Sequence, residues 1–322
     1  MSKTIHIAAT LSLLALTLSC EKANLEETEN EPKTTHTIHF ALSEERAFIT
    51  EEPLFNAPGA PTSAKKIYAI NVYQKKDGAG SYKKYAYGLF DDPSLMSITL
   101  ESGSLYRFEC SESCDDQESV YYDADGYWSP YRHGGQPTPL DNQFVLSSKT
   151  NLDYIVEGSS KGWVNTSATD SIRCPRIYRY YATVSDFDPT ESETISMELR
   201  RAIFGLRLSI TPPSDGTISL NYLFRNVTVA ASDNTYDHEA VYAFNQISRA
   251  CADGYSGGFP FELTWTRGDG TQVIGRDTIT LKRNVMTTLE INVEGKTPSG
   301  FQITEENTEM ESEKRNWTIT EE

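Results

Sequence analysis

The chain has 322 residues and carries 29 Lys and Arg against 46 Asp and Glu, a net charge of −17 at pH 7. A chain of this length can bury a core without disulfides, and its negative charge argues against binding to nucleic acid phosphates. Its 18 Tyr and 13 Phe, without long runs of Ala, Leu, Glu and Lys, favour an all-β fold.

Residues 1–19 are predicted to be a lipoprotein signal peptide. Lys3 precedes an apolar run, residues 7–18, which is too short to span a bilayer but has the length of a secretory signal core. A buried strand or short helix is the alternative for this run. The run ends at Cys20 and resembles a bacterial lipobox, although the usual Leu three positions before the Cys is Thr17 here. Lipidated Cys20 would then be the first residue of the mature protein and its membrane anchor.

The segment after Cys20 is predicted to be an acidic, disordered spacer. Residues 20–34 are rich in Glu and contain no aromatic residue, a composition that does not support a packed core. The run also resembles the acidic signals that send some Gram-negative lipoproteins to the outer face. We therefore expect a lipid-anchored protein of the outer membrane, exposed at the cell surface.

Alternation of apolar and polar residues predicts strands in the first half of the chain. Residues 35–42 read as a half-buried strand, and residues 66–90 read as a hairpin that turns at Asp77-Gly78. A second hairpin is expected over residues 97–110, with its turn at 101–104. The inward positions of the first strand are Ile38, Phe40 and Leu42.

The pattern breaks over residues 110–139, an acidic, aromatic and Gly/Pro-rich stretch that is long for a structureless connection and is either functional or an insertion. Strands resume at residues 144–146 and 154–156. Further strands follow at the segments 194–210, 217–232, 259–266 and 272–293. Strands at this spacing predict antiparallel β-sandwiches, here two in tandem, over residues 35–190 and 191–295.

The closing stretch, "TITLKRNVMTTLEINVEG", resembles the last strands of the fimbrillin family, the type V pilins and their anchor subunits. In that family an Arg-Asn pair leads into the final strand, and here the pair is Arg283-Asn284. The segment around residues 199–202 is similar to the strand that opens the family's second domain, and "INVYQKKDG" and "ITLESGSLYRFEC" are similar to hairpins of its first domain. Together these motifs cover most of the mature chain.

The resemblance implies two transthyretin-like sandwiches and a role in pilus assembly or cell adhesion. In polymerising members a protease cuts after an Arg that follows the first strand, and a donor strand from a neighbour fills the vacated groove by β-augmentation. Arg46 stands at that position, so the candidate cleavage lies between Arg46 and Ala47. The alternative is that Arg46 is an ordinary exposed side chain in a polar loop.

The C-terminal tail, residues 296–322, is acidic and contains two short alternating segments that are donor-strand candidates. A disordered or self-packed tail is the alternative. The side chains expected to enter an acceptor groove are Phe301, Ile303, Trp317 and Ile319.

The cysteines that remain after Cys20 number four, which in an exported protein suggests disulfides. Cys110 and Cys114 are the favoured bridge, with free thiols as the alternative. Their spacing, without a matching Cys or His pair, is poor for zinc. No catalytic motif stands out, so the sequence predicts no enzyme, no metal and no cofactor.

The stretch "YYDADGYWSPY" combines aromatic rings with carboxylates, a mixture suited to stacking on sugar rings or to anchoring a protein partner. Rings packed over the end of a sandwich are the alternative, and a calcium loop would need more oxygen ligands than this stretch supplies. The candidate binding residues are Tyr121, Tyr122, Tyr127, Trp128 and Tyr131.

The sequence therefore predicts a surface lipoprotein of fimbrillin type that acts in pilus assembly or adhesion through donor-strand interactions. Its expected partners are copies of itself or other fimbrial subunits, with the outer membrane reached through the lipid. A surface glycan-binding lipoprotein that uses residues 121–131 is the alternative, with a glycan or a host surface protein as its ligand.

Overall fold

The computed structural model describes residues 34–44, 65–115, 120–128, 130–155, 177–223 and 225–293. Nearly all regular structure in this part of the chain is β, as the aromatic and β-branched composition predicts. The strands of the first half are β1 (Thr35–Glu44), β2 (Lys65–Lys76), β3 (Lys83–Phe90), β4 (Ser97–Glu101), β5 (Ser104–Asp115), β6 (Tyr122–Asp123), β7 (Gly126–Tyr127), β8 (Phe144–Leu146), β9 (Tyr178–Phe187) and β10 (Thr194–Arg201).

The second half begins directly after β10 and contains seven strands and one short helix among the described residues. They are β11 (Ile203–Ile210), β12 (Thr217–Tyr222), β13 (Arg225–Ala230), β14 (Tyr236–Ala243), α1 (Ile247–Ala250), β15 (Ser256–Thr266), β16 (Gln272–Lys282) and β17 (Met286–Ile291).

The first half forms two layers of strands. Both belong to one hydrogen-bonded eight-stranded sheet: the β1 layer has the order β4-β1-β10, and the β5 layer continues from it with the order β9-β5-β2-β3-β8. Their only ladder contact within the described residues joins Arg200 and Arg201 of β10 to Tyr181 and Tyr180 of β9. The two layers share one core, because apolar side chains of both belong to a single buried cluster. Its members include Ile38, Ile98, Leu100, Ile195, Met197 and Leu199 from the β1 layer and Ile70, Val72, Phe108 and Tyr180 from the β5 layer.

The second half is built in the same way from a three-stranded layer, β14-β11-β17, and a four-stranded layer, β13-β12-β15-β16. Alternate residues of β11 and β12 point into a common core. The buried positions of β12 follow the two-residue period of a strand, whereas the first four residues of β11 are all buried, because Ile203 packs in a separate cluster with Val285 and Met286. The core contains Phe204, Leu206, Leu208, Ile210, Ile218, Leu220, Phe261, Leu263, Trp265 and Leu281. The all-β sandwich class expected from the sequence is confirmed.

The first strand and the first hairpin form as predicted. β1 buries Ile38 completely and packs Phe40 and Leu42 against the core. β2 and β3 pair antiparallel around Asp77-Gly78, where Gly78 has φ +73°, a left-handed conformation that glycine adopts without strain.

Two predictions of the first half are wrong. The expected hairpin at residues 97–110 does not exist, because β4 pairs with β1 whereas β5 pairs with β2 and β9. The turn between β4 and β5 thus carries the chain from one layer to the other. The expected strand at 154–156 is not formed over its described residues, because Tyr154 lies in a turn with φ +56°.

The strand β10 belongs to the first core although its sequence lies beyond residue 190. It runs parallel to β1, with Phe40 opposite Ile195 and Leu42 opposite Met197. The ladder partners and the core therefore change at Ala202, between β10 and β11. The division of the chain into two domains stays a prediction.

Candidate functional site

The position of β1 inside its layer is the first feature with a functional meaning. Its first residues pair antiparallel with β4, from Thr35 opposite Glu101 to His39 opposite Ser97. Its last residues pair parallel with β10, from His39 opposite Thr194 to Glu44 opposite Leu199. The first described strand of the chain therefore lies between two others and holds them together.

The far end of β1 contacts a group of charged side chains. Lys66 of β2 forms ion pairs with Glu44, the last residue of β1, and with Glu112 of β5, whose Oε1 lies 3.2 Å from the Lys66 Nζ. The Glu112 side chain is fully buried, and its Oε2 has no hydrogen-bond partner among the described residues. We call Glu44, Lys66 and Glu112 the Lys66 cluster. It sits at the end of the first core, in contact with both layers.

Burial dominates the electrostatics of this cluster. Desolvation raises the pKa of Glu112 to about 7, and the neighbouring Lys66 only partly offsets that rise while Glu44 adds to it. The ion pairs with both carboxylates raise the pKa of Lys66 in spite of its partial burial. The Cys114 thiol, 3.9 Å from Glu112 Oε1, has its pKa raised by burial to about 12 and is therefore not an activated nucleophile.

The sequence did carry a signal for Glu112 that composition alone misses. Phe108, Cys110 and Cys114 occupy inward positions of β5, and Glu112 shares their parity on the strand. A charged residue at an inward position needs a partner. The partners, however, come from β1 and β2, and no local pattern identifies them.

The aromatic stretch after residue 120 forms a small hairpin. β6 and β7 pair with Tyr122 opposite Tyr127, and the two rings stack at a centroid distance of 5.2 Å. Tyr121 and Trp128 stack beside them at 6.1 Å. The carboxylate of Asp123 accepts hydrogen bonds from Trp128 Nε1 at 2.9 Å and from the Tyr121 hydroxyl at 3.3 Å. We call residues 121–128 the aromatic hairpin.

Two of the five candidate rings, Tyr127 and Tyr131, attach this hairpin to the sheet, and Tyr131 is too deeply buried to contact a ligand. Tyr131 is buried, and Tyr127 packs edge-on against it at 5.9 Å, in a cluster that covers the outer face of the β5 layer. Gly126 has φ +127°, and a Cβ there would lie 2.6 Å from the carbonyl oxygen of Thr138. The alternative of rings packed over a sheet therefore holds for Tyr127 and Tyr131.

The outward part of the hairpin consists of Tyr121, Tyr122 and Trp128. Tyr122 is exposed, whereas Tyr121 and Trp128 are half-buried. The Trp128 hydrogen bond, with that of the Asp125 amide, lowers the pKa of Asp123, and the charge of Asp123 raises the pKa of Tyr121. These three rings and an ionised carboxylate form a surface that could stack on a sugar ring and accept hydrogen bonds from its hydroxyls.

The expected disulfide between Cys110 and Cys114 is wrong. Both thiols are free and buried in the first core. The two residues lie on the same strand, β5, four positions apart, which separates their Cα atoms by about 13 Å at the rise of a strand. A disulfide needs Cα atoms within about 7 Å, so this pair cannot be bridged without breaking the strand.

Several predicted site residues lie outside the described residues. They are Cys20, Arg46, Ala47, Phe301, Ile303, Trp317 and Ile319. Within residues 34–44, 65–115, 120–128, 130–155, 177–223 and 225–293, no group of three His, Cys, Asp or Glu side chains is placed to hold a metal ion. No helix in the same ranges has the length and apolar character needed to cross a membrane.

The described residues define an all-β protein whose first described strand lies in the middle of a sheet. No protein-family model and no curated protein matches the chain. Among solved structures it is similar to the fimbrial anchor protein Mfa2 from Porphyromonas gingivalis, with 13% identity and a TM-score of 0.30 over 76% of this chain and 82% of that one.

Two other similar structures come from Bacteroides. A candidate cell adhesion protein from Bacteroides eggerthii has 10% identity and a TM-score of 0.36, over 81% of this chain and 87% of that one. A candidate polysaccharide-binding protein from Bacteroides thetaiotaomicron has 10% identity and a TM-score of 0.33, over 90% and 99%. One of these proteins is named as a fimbrial anchor and another as an adhesion protein, which agrees with the fimbrillin resemblance of the sequence. Because these identities and TM-scores are low, function has to be argued from the chain's own strands and side chains.

Proposed function

We propose that this chain is a surface lipoprotein of fimbrillin type that acts in pilus assembly or cell adhesion by exchanging its first strand for a strand of another subunit. The observation that carries the proposal is the place of β1, between β4 and β10. A terminal strand at the edge of a sheet could leave without consequence. A terminal strand in the middle leaves a gap with two unpaired edges.

The gap would be a strong acceptor for another strand. Loss of β1 would free the ladder hydrogen bonds of β4 and β10 and uncover apolar residues of these two strands, such as Ile98 and Met197, whose side chains are buried in the first core. Unpaired edges beside an apolar groove are completed by a strand that supplies main-chain hydrogen bonds and alternate apolar side chains. Such a strand would restore the ladder hydrogen bonds and the apolar side chains that β1 provides.

Arg46 lies two residues beyond the described end of β1. A cut after Arg46 would separate β1 from β2, and would also separate Cys20 and its lipid from the rest of the chain. Uncut, the same protein would stay at the outer membrane as an anchor or a standing surface protein. The lipid, the signal peptide and the outer membrane location are parts of this proposal.

The test is polymer formation in the Arg46→Ala variant. We expect cells with the natural chain to give ladders on unheated denaturing gels, and the variant to lose them. Arg276→Ala, which removes an exposed Arg of β16, is the matched control and should keep the ladders. Ladders of equal yield in the Arg46 variant, or none in the natural chain, would contradict the proposal.

Glycan binding by the aromatic hairpin is the second candidate, favoured by its exposed Tyr122 beside the stacked Tyr121–Trp128 pair. On polysaccharide affinity gels, we expect Trp128→Ala to remove the retardation of the natural chain. Tyr236→Ala, which removes a half-buried ring from β14, is the matched control. Equal retardation of the Trp128 variant and the natural chain would exclude this use of the hairpin.

A further inference from the structure

The short strand β8 leaves an apolar edge on the eight-stranded sheet. It pairs with β3 on one side, and on the other side it ends the order of the described strands. Two of its three side chains are exposed, Val145 by 42% and Leu146 by 66%. Edge strands usually carry charges that prevent pairing with another chain. Each of the other edge strands of the three larger sheets contains a charged residue, whereas β8 contains none.

We propose that the β8 strands of two copies of this chain pair antiparallel about a two-fold axis at Val145, so that the protein forms a side-by-side dimer. The inference goes beyond the proposed strand exchange and does not depend on it, because it uses neither the removal of β1 nor a cut after Arg46. A second copy is the partner because the sequence "DNQFVLSSK" of residues 141–149 is complementary to its own reverse in hydrogen bonds, apolar contacts and charge.

The main-chain groups of β8 fit this pairing. The Ser147 amide donates to the Tyr85 carbonyl oxygen at 2.8 Å and so points towards β3. In an antiparallel ladder this direction alternates, so the main chain of Val145 also faces β3, whereas that of Phe144 and Leu146 faces the free edge. With Val145 on the axis, Phe144 of each copy pairs with Leu146 of the other and exchanges both main-chain hydrogen bonds with it. Every free-edge group of β8 then has a partner.

The side chains of β8 gain burial on both faces of the sheet. Phe144 packs against the first core, where its ring stacks on Phe40 at a centroid distance of 5.6 Å. Leu146 lies on the same face and Val145 on the opposite one, because neighbouring residues of a strand alternate. In the dimer each Leu146 would cover the partner's Phe144, and the two Val145 side chains would contact each other. The pairing removes from water the apolar area that the single chain exposes.

The two ends of this edge carry opposite charges. At the basic end, the Lys84 ammonium lies 3.5 Å from the carbonyl oxygen of Lys149. At the acidic end, Asp141 precedes Asn142, whose Oδ1 accepts a hydrogen bond from the main-chain amide of Asp92 at 3.2 Å. A two-fold axis between the ends sets the basic end of each copy beside the acidic end of the other, so the pairing is electrostatically favourable.

The charges also select the register. Asp141 and Lys149 are exposed, and a ladder centred on Val145 sets each of them opposite the other in the partner. A ladder centred one residue earlier would pair Leu146 with Asn142, whose φ of +57° does not belong to a strand. One centred a residue later would set phenylalanine against serine. The left-handed turn at Asn142 also means that the charged pairs flank the ladder rather than extend it.

A single cysteine on the axis tests the pairing. The two Val145 residues would form a non-hydrogen-bonded pair with Cα atoms about 4.5 Å apart, which is within the range of a disulfide. The full-length chain with Val145→Cys should therefore give at least tenfold more disulfide-linked dimer under mild oxidation than the natural chain at the same concentration. Ile274→Cys, at an equally exposed apolar position of the edge strand β16, is the matched control and should stay at the background of the natural chain. Equal dimer yields in the two variants would overturn the proposal.

Charge reversal in the Val145→Cys chain tests the register. Asp141→Lys should lower the dimer yield at least fivefold, because the symmetry repeats its repulsion with Lys149, and adding Lys149→Asp should restore the yield. Asp125→Lys, the same charge change at an exposed site of the aromatic hairpin, should have no effect. Failure of the double exchange to restore the dimer, or an equal loss in the Asp125 variant, would overturn the register. Dimers that vanish with Arg46→Ala would arise inside a strand-exchanged polymer and would overturn the side-by-side dimer while strand exchange stands.

Discussion

Two groups of three neighbouring strands, β4-β1-β10 and β14-β11-β17, differ in the place of their middle strand along the chain. Each has a middle strand with one antiparallel and one parallel neighbour. In the first, the middle strand is the first described strand of the chain. In the second, the middle strand is β11, and the last strand, β17, lies at the edge. Among the described strands, removal of the first one would split its layer, whereas removal of the last one would take only an edge strand from the other.

The two middle strands also differ in how deeply their inward side chains are buried. The four inward residues of β11, from Phe204 to Ile210, have 0% exposure, whereas in β1 only Ile38 is fully buried and Phe40 and Leu42 are half-buried. Because hydrophobic stabilisation scales with the apolar area removed from water, β11 is held more firmly than β1. The first layer is therefore the one in which the proposed strand exchange would meet less resistance.

The largest expected effect is that of Phe204→Ala. Phe204 contacts the rings of Phe244, Phe259 and Tyr242, and its removal should lower the free energy of unfolding by about 3–5 kcal/mol. Phe40→Ala, at the half-buried position of β1, should cost clearly less. Urea unfolding followed by circular dichroism measures both. Equal losses in the free energy of unfolding would contradict the conclusion that β11 is held more firmly than β1.

The next largest effect is expected from a cavity created under β1. Ile38→Ala should cost about 2–5 kcal/mol, because Ile38 is buried between the layers of the first core. Native-state hydrogen exchange sharpens the comparison: the amides of β1 should exchange faster in this variant, while those of β11 keep the protection of the natural chain. A uniform loss of protection in both strands would show that β1 does not open independently of β11.

Alternation alone predicts both middle strands, because the period of two in residues 35–42 and 203–210 is a local property of the chain. Pairing is not local. The turn at residues 101–104 has the composition of a hairpin turn, yet it connects two layers, and nothing in β10 indicates that it pairs with a strand some 150 residues earlier. β14 was not predicted, because Asp237, His238 and Glu239 interrupt its apolar pattern on an edge strand.

The same contrast between local pattern and long-range pairing explains why only part of the candidate site was predicted. The aromatic hairpin is contiguous in sequence, so its residues could be named, although the inward direction of Tyr127 and Tyr131 depends on the sheet beneath them. The Lys66 cluster joins β1, β2 and β5, and its proximity follows from long-range register. The predicted Cys110–Cys114 bridge is wrong because β5 continues to Asp115, although the alternating pattern of the sequence breaks at residue 110.

Glu112→Gln tests the buried carboxylate at the junction of β1 with the first core. The folded state holds the proton of Glu112 up to about pH 7, whereas the unfolded chain releases it near the ordinary pKa of 4.5, so stability falls as the pH rises between these values. The full difference corresponds to about 3 kcal/mol, present as a penalty above pH 7. Unfolding free energies at pH 5 and pH 7 should differ less in the variant.

The window from pH 5 to pH 7 isolates this carboxylate from the exposed acids. Asp91, Asp186 and Asp188 have lowered pKa values, so their effect on stability is confined to more acid solution. Burial also raises the pKa of Glu109, which contributes in the same direction but is present in both proteins. An unchanged pH dependence in Glu112→Gln would show that the Lys66 cluster does not titrate in this range.

The smallest effect on stability is expected outside both layers, at Asp123. Its carboxylate links Tyr121 to Trp128 at the surface, and Asp123→Ala should change the free energy of unfolding by less than about 1 kcal/mol, as exposed substitutions do. Loss of the indole hydrogen bond should nevertheless free the Trp128 ring and shift its fluorescence. Asp125→Ala, an equally exposed acid two residues further on, is the matched control. If Asp123→Ala instead destabilised the fold as much as Ile38→Ala, the aromatic hairpin would be a structural cover of the β5 layer, and its use as a binding surface would lose its support.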